Sequence, residues 1–310
     1  MTTIPRRSFL AAGAAALSLP GSVSSASARS AVAQVTPTRP ADGPQLNERP
    51  LDGVKTNFAC NIEMWGFGTN DHAERIRKAA DLGFRGVEFW PWRGKDLDGI
   101  DKARRDTKIE IVQFLAWGFS PGLNEPKNHD AFVAEIEASC EVAHRFDTKM
   151  LLVIAGNDVP GLTKEQMHQN VIDGLKRAAP VAEKAGITLL LEPLNVRVDH
   201  KGHCLSYSPD LVRICKAVGS KHVKSCWDTY HLQISEGDLC GHMKDGFDEI
   251  GYFQFADHPG RNEPGTGEIN YQRVFRAAKE LGYTGWFGAE LSPLEGERKA
   301  AERLAATDPA

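Results

Sequence analysis

The chain has 310 residues, 25% of them charged and 41% apolar, with a formal net charge of −4 at pH 7. That length suits one large α/β domain rather than several small ones, and a mildly acidic surface without a basic stripe speaks against nucleic acid as a partner. The six cysteines (Cys60, Cys140, Cys204, Cys215, Cys226 and Cys240) show no CxxC pair and no zinc-finger spacing. They read as buried thiols, with disulfides left open.

The first 28 residues are not fold. Arg6-Arg7 precedes Ser8-Phe9-Leu10, a modest Ala/Leu stretch and Ala26-Ser27-Ala28. The order of charge, apolar core and small-residue cleavage site resembles a twin-arginine signal peptide and sets the segment apart from a disordered Ala-rich tail. The expectation is export, to the periplasm, with cleavage at 28 or at the alternative Ala31-Val32-Ala33. The stretch is too short to anchor the chain in a membrane. Removing Arg6 and Arg7 takes the net charge to −6, because residues 1–28 contain no acids. Residues 29–54, with Pro37, Pro40, Pro44 and Pro50, read as an extended linker.

From residue 55, strand-like and helix-like segments alternate. Short apolar runs at 55–60, 86–90, 109–116, 149–156, 187–192, 223–228, 250–254 and 286–290 are too short for helices and rich in β-branched and aromatic residues. Between them, 70–83, 129–146, 163–186, 208–219 and 270–282 carry helical periodicity, and 295–306 reads as a final helix. Gly83, Gly186, Gly219 and Gly282 stand where helix C-caps are expected. Eight strands joined by crossovers predict a (β/α)8 TIM barrel over 55–310. A doubly wound sheet is the rival, but no G-x-G-x-x-G follows the first strand.

Four of the runs end in a polar group: Glu192, Asp228, Gln254 and Glu290. In a closed parallel barrel such groups converge on one mouth. Three carboxylates and an amide there form an oxygen-lined cup for a hard divalent cation, favouring Mn2+ or Mg2+, with Co2+ also accommodated, over a thiolate-seeking Zn2+ site.

The motifs LEPLN (191–195), WDTYH (227–231), FADHPGRNEPGTGEINY (255–271) and WFGAEL (286–291) resemble those of hydroxypyruvate isomerase and its relatives in the xylose-isomerase-like TIM-barrel superfamily. The resemblance spans 55–293, and its PGR-x-EPGTGEIN stretch is the most specific part. It implies that Glu192, Asp228, Gln254 and Glu290 bind a divalent metal, that Glu192 and Glu290 form the acid–base pair, and that His231 and Arg261 contact substrate oxygens. It also implies a small sugar or hydroxy-keto acid as the partner. Barrels of this kind often pair as homo-oligomers.

Elementary chemistry agrees with those roles. Moving a carbonyl by one carbon, or inverting a centre beside it, needs a proton taken from carbon and returned elsewhere, with charge stabilisation of the enediolate between. The expected activity is a metal-dependent isomerisation of a small hydroxy-carbonyl compound. Ketose 3-epimerisation or 3-keto-glycoside elimination on a scavenged sugar is the alternative. A non-catalytic sugar-binding protein fits less well, having no need of two opposed glutamates. Gln254 tilts the reading toward hydroxypyruvate isomerase, whereas export tilts it toward a scavenged substrate.

Other residues carry weaker expectations. Glu88 is placed to bind a substrate hydroxyl or to brace Arg93. Trp65, Trp90 and Trp117 are candidates for a pocket wall. His200 and His203 have zinc-pair spacing but no third ligand, and read as a loop over the mouth. Glu263 is placed to close the pocket or pair with an arginine. His129 and Met167-His168 are expected to be exposed.

Overall fold

The eight apolar runs form the eight strands of a closed, all-parallel barrel whose order in space is their order in sequence. They are β1 (Asn57–Asn61), β2 (Gly86–Phe89), β3 (Glu110–Trp117), β4 (Met150–Ile154), β5 (Thr188–Glu192), β6 (Val223–Asp228), β7 (Ile250–Phe255) and β8 (Trp286–Ala289). β1 closes the barrel on β8, with Ala59 beside Gly288. A computed structural model of the chain describes residues 49–309. The expected leader at 1–28 and most of the linker lie outside them. The domain starts slightly before residue 55: Leu51 is buried and its N–H donates to Leu82 O at 3.1 Å.

Helices α1 (His72–Asp81), α3 (His129–Phe146), α4 (Lys164–Ala185), α5 (Ser208–Val218), α8 (Tyr271–Glu280) and α9 (Glu297–Ala306) fall where the periodicity puts them. Local capping sets their ends. The Asp71 carboxylate caps α1, and Thr163 with Gln166 forms a reciprocal capping box on α4. Gly186 and Gly219 are left-handed C-caps; Gly83 and Gly282, also at positive φ, come one residue after caps Leu82 and Leu281. Three further helices, α2 (Leu97–Thr107), α6 (Thr229–Ser235) and α7 (Leu239–Gly246), lie where no helix was expected. α2 buries Ile100, Asp101 and Ala103. No helix among the described residues is long and apolar enough to cross a membrane.

Side chains alternate across each strand. On β5, Leu189 and Leu191 face the helices while Leu190 joins Ala59, Val112, Leu152, Cys226 and Tyr252 inside the barrel. That parity positions the site. Glu192, Asp228, Gln254 and Glu290 each lie two residues beyond an interior position (Leu190, Cys226, Tyr252 and Gly288), and so turn inward at the C-terminal mouth.

Candidate active site at the barrel mouth

Glu192, Asp228, Gln254 and Glu290 are all buried. Ligand atoms of Glu192, Asp228, Glu290 and His231 all lie within 4.8 Å of one another. Asp228 Oδ1 caps α6 by accepting the backbone N–H of Tyr230 and of His231, at 2.7 and 3.1 Å. Its Oδ2 faces inward, 3.7 Å from His231 Nε2.

The two glutamates differ in how they are held. Glu290 Oε1 accepts the Trp90 indole N–H at 2.8 Å and the Asn61 amide at 3.4 Å, while Oε2 accepts Arg261 Nη2 at 2.6 Å. Glu192 accepts no hydrogen bond among the described residues; His231 Nε2 stands 3.9 Å from its Oε1. Burial, then the charges of Glu290 and Asp228, push the Glu192 carboxyl well above the usual range. Asp228 is pushed up to about 7, chiefly by burial and then by Glu290. Burial works against the charge on Arg261, but Glu290, Asp228 and Glu192 hold it ionised.

His231 is fixed in one tautomer. Its Nδ1 accepts the Asn195 backbone N–H at 3.3 Å and the Asn195 side-chain amide at 2.7 Å. The amide orientation is set independently, because Asn195 Oδ1 accepts from the N–H groups of Val198 and Asp199. Burial and then the Arg261 charge keep the imidazole neutral, well below its ordinary pKa. The proton therefore sits on Nε2, which stands 3.5 Å from Arg261 Nη2 and 3.7 and 3.9 Å from the carboxyl oxygens of Asp228 and Glu192.

Gln254 lies beside Asp228 in register. Its amide nitrogen donates to Glu88 Oε1 at 3.0 Å and its oxygen accepts the Cys226 thiol at 2.9 Å. Glu88 is the hub beneath the site. It accepts from Asn61, Gln113, Tyr252 and Gln254 at 2.5–3.0 Å, with all lone pairs used internally. It neither faces substrate nor braces Arg93, which pairs with Glu135. Gly288 makes room for this hub: a Cβ there would stand 2.5 Å from Glu88 Oε2.

The loop carrying Arg261 is organised by Asp257, to which sequence reasoning gave no role of its own. Its buried carboxylate accepts the N–H groups of His258, Gly265, Gly267 and Ile269. A Cβ on Gly267 would lie 2.3 Å from His258 O, so that turn closes only around glycine. Arg261 itself has φ 56° and stands 5.0 Å over the Tyr230 ring. Glu263 is buried away from the cavity, 3.8 Å from Arg303.

Above the carboxylates lies a cavity of about 480 Å³, lined by Glu192, Glu290, His231 and Arg261 on one side. Of the three tryptophans only Trp90 reaches it; Trp65 packs against Phe84 and Trp117 against Phe132. His200 lines it, stacked on Phe119 at 5.1 Å. His203 is buried with Nδ1 on Leu205 O, so the pair does not form a shared metal site. His129 and His168 are buried rather than exposed, bonded to the carbonyls of Leu123 and Cys204, and Met167 is buried with them. All six cysteines are free thiols.

Residues 76–307 match the model of the xylose isomerase-like TIM barrel family. The chain belongs to that family. Among its relatives, the hydroxypyruvate isomerase of Escherichia coli K12 is 33% identical over 242 residues, covering 76% of this chain and 93% of that protein. A 2-oxo-tetronate isomerase of Cupriavidus necator is 34% identical over 251 residues, covering 77% and 94%. A crystal structure from Brucella melitensis, described as an AP endonuclease of family 2, superposes with TM-score 0.76 at 28% identity, covering 81% and 98%. This xylose isomerase-like barrel is accordingly an enzyme of the isomerase class.

Proposed function

We propose that the chain isomerises a small hydroxy-keto acid by moving a proton between adjacent carbons, with Glu192 and Glu290 as the acid–base pair. The observation that carries this is the contrast between the two glutamates over one cavity. Glu290 is fixed by Trp90, Asn61 and Arg261, whereas Glu192 is free to turn. A fixed carboxylate meets one carbon, and a mobile one reaches the next. His231 Nε2–H donates to a substrate oxygen. Arg261 Nε is a buried donor without a partner, available to a substrate carboxylate while Nη2 stays on Glu290. The names of the sequence relatives support this substrate class.

The donor set fits a divalent cation. Three buried carboxyl groups crowd a single guanidinium, and the upward push this gives Glu192 and Asp228 is what a bound cation would relieve. Glu192, Asp228 and Glu290 would hold the ion, with the Gln254 amide oxygen as the uncharged fourth donor; Mn2+ or Mg2+ suits such oxygens. His231 fits less well as a ligand because its inward nitrogen bears the proton. When bound, the ion supplies Lewis-acid polarisation of substrate oxygens.

Proton NMR in D2O of the Mn2+-supplemented protein tests the reaction. With hydroxypyruvate or a 2-oxo-tetronate, loss of one C–H signal that Glu290→Gln abolishes supports it; exchange surviving in Glu290→Gln refutes the two-glutamate mechanism. The cavity volume favours a second reading, epimerisation of or elimination from a longer sugar. We read residues 1–28 as an export leader followed by a linker to 54, a proposal that cell fractionation checks: the protein is expected in the periplasmic fraction, shortened at its N-terminus.

A further inference from the structure

The mouth of the barrel is polar on one side only. Beside the level where β5 to β8 contribute Glu192, Asp228, Gln254 and Glu290, strand β4 contributes Ile154, directly next to Glu192. One layer deeper, level with Leu190, Leu115 of β3 and Leu152 of β4 are in register. With Leu194 they wall the cavity up to its rim, where Trp90 and Phe119 each keep 37% of their surface exposed. Parity puts these residues inside: Leu152 and Ile154 are two apart on one face, as Leu190 and Glu192 are.

A volume of about 480 Å³ lies in the range of sites that enclose drug-sized ligands, which run from about 300 to 1,000 Å³. A three-carbon acid held by Arg261 and His231 leaves the β3–β4 side unfilled. The His200 imidazole on that side stands at the rim, stacked on Phe119. Along Leu115, Leu152 and Ile154, hydroxyl groups on a longer substrate would meet only carbon. Each buried without a partner would weaken binding by about five- to hundredfold. A hydrocarbon tail would instead gain from each methylene covered, about fourfold apiece.

We propose that the substrate is a hydroxy-keto acid whose tail, beyond the reacting carbons, is apolar: a deoxy, alkyl or aryl group rather than a polyol. This inference rests on the proton-transfer reading above for the placement of the head group. The acid end and reacting carbons lie against Glu192, Glu290, His231 and Arg261, and the tail lies along Leu115, Leu152 and Ile154 toward the exposed rings of Trp90 and Phe119. Those rings are then covered by ligand.

The test compares chain-length-matched 2-keto-3-hydroxy acids bearing hydroxylated or hydrocarbon tails, by deuterium uptake at carbon with Mn2+ present. The hydrocarbon series is expected to exceed its hydroxylated counterpart at least tenfold in kcat/KM. Equal or faster exchange of the polyols overturns the proposal. Calorimetric titration with matched 2-keto acids that have no exchangeable hydrogen at the reacting carbon separates the tail from the chemistry. Tighter binding of the alkyl acid upholds the apolar wall even if no compound exchanges, an outcome that refutes only the isomerase reading. Leu152→Asn is expected to reverse the preference. Phe119→Ser, at the exposed rim and outside the packed barrel, is expected to shrink it should Leu152→Asn not fold; a ratio unchanged in Phe119→Ser and in a folded Leu152→Asn overturns the wall.

Discussion

The indole N–H of Trp90 donates to Glu290 Oε1 at 2.8 Å, joining a loop after β2 to a carboxylate after β8. The ring also walls the cavity, so one residue both covers and aims the glutamate. Trp90→Phe keeps the wall and deletes the donor. A hydrogen bond to a charged group is worth about 1.5–3 kcal/mol. We expect kcat to fall about 10- to 100-fold with the fold intact, checked by steady-state kinetics beside circular dichroism.

Asn195 decides which nitrogen of His231 carries the proton. Asn195→Asp replaces that side-chain donor with a carboxylate acceptor and favours the proton on Nδ1, leaving Nε2 as a lone pair. Nitrogen-15 NMR of the labelled imidazole is expected to show the tautomer exchanged, with activity down about 10-fold or more. An exchanged tautomer with unchanged activity refutes the donor role of His231.

Stability is expected to fall in mild acid through His203. Burial holds its imidazole at about 4, against an ordinary 6.5. Above about pH 6.5 the ring is neutral in both folded and unfolded chains and contributes no pH dependence. Between there and about pH 4 the unfolded chain binds a proton that the folded one refuses, so unfolding is favoured by up to about 3 kcal/mol. His203→Asn, which retains a donor for Leu205 O, removes the titration. The Tm of this variant is expected to fall less between pH 7 and pH 4.5 than that of the parent.

Gly288→Ala puts a methyl into the Glu88–Tyr252 contact. Overpacking of this kind costs about 1–3 kcal/mol, read as a lower urea midpoint with unchanged slope. A variant as stable as the parent would show that the hub yields.

Asp228→Ala removes one of the three carboxylates at the cavity floor and, with it, the cap of α6. Activity is expected to drop and to return in part with excess Mn2+, while chelation of the unaltered protein is expected to depress activity reversibly. Activity indifferent to chelation refutes the cation.

The barrel was legible because its strands are fully buried, so each reads as a continuous apolar run; the strand-end acids stood out against those runs. Parity alone then brought Glu192, Asp228 and Glu290 to one place. α6 and α7 were not legible, being only 7 and 8 residues long, and in α2 Gly99 between Asp98 and Asp101 reads as a turn and masks the stripe that buries Ile100 and Ala103. The two donors that tune the site, Trp90 and Asn195, lie on loops whose paths no periodicity encodes. Glu88 looked like any strand-end acid; its four partners come from three other strands, Asn61 from β1, Gln113 from β3 and Tyr252 with Gln254 from β7, and only closure assembles them. His129 and His168, in helical patterns, were expected to be exposed, yet each is buried against a loop carbonyl that sequence does not reveal.

The hub at Glu88 ties the reactive floor to the seam where the barrel closes. Asn61 spans Glu88 and Glu290 from β1, and Gln254 answers to the same carboxylate from β7. Any breathing of the β8–β1 seam on warming therefore misaligns the reacting groups before secondary structure is lost. Thermal inactivation would then run ahead of thermal melting, and the temperature ceiling of the enzyme would be set by one seam rather than by the stability of the whole domain.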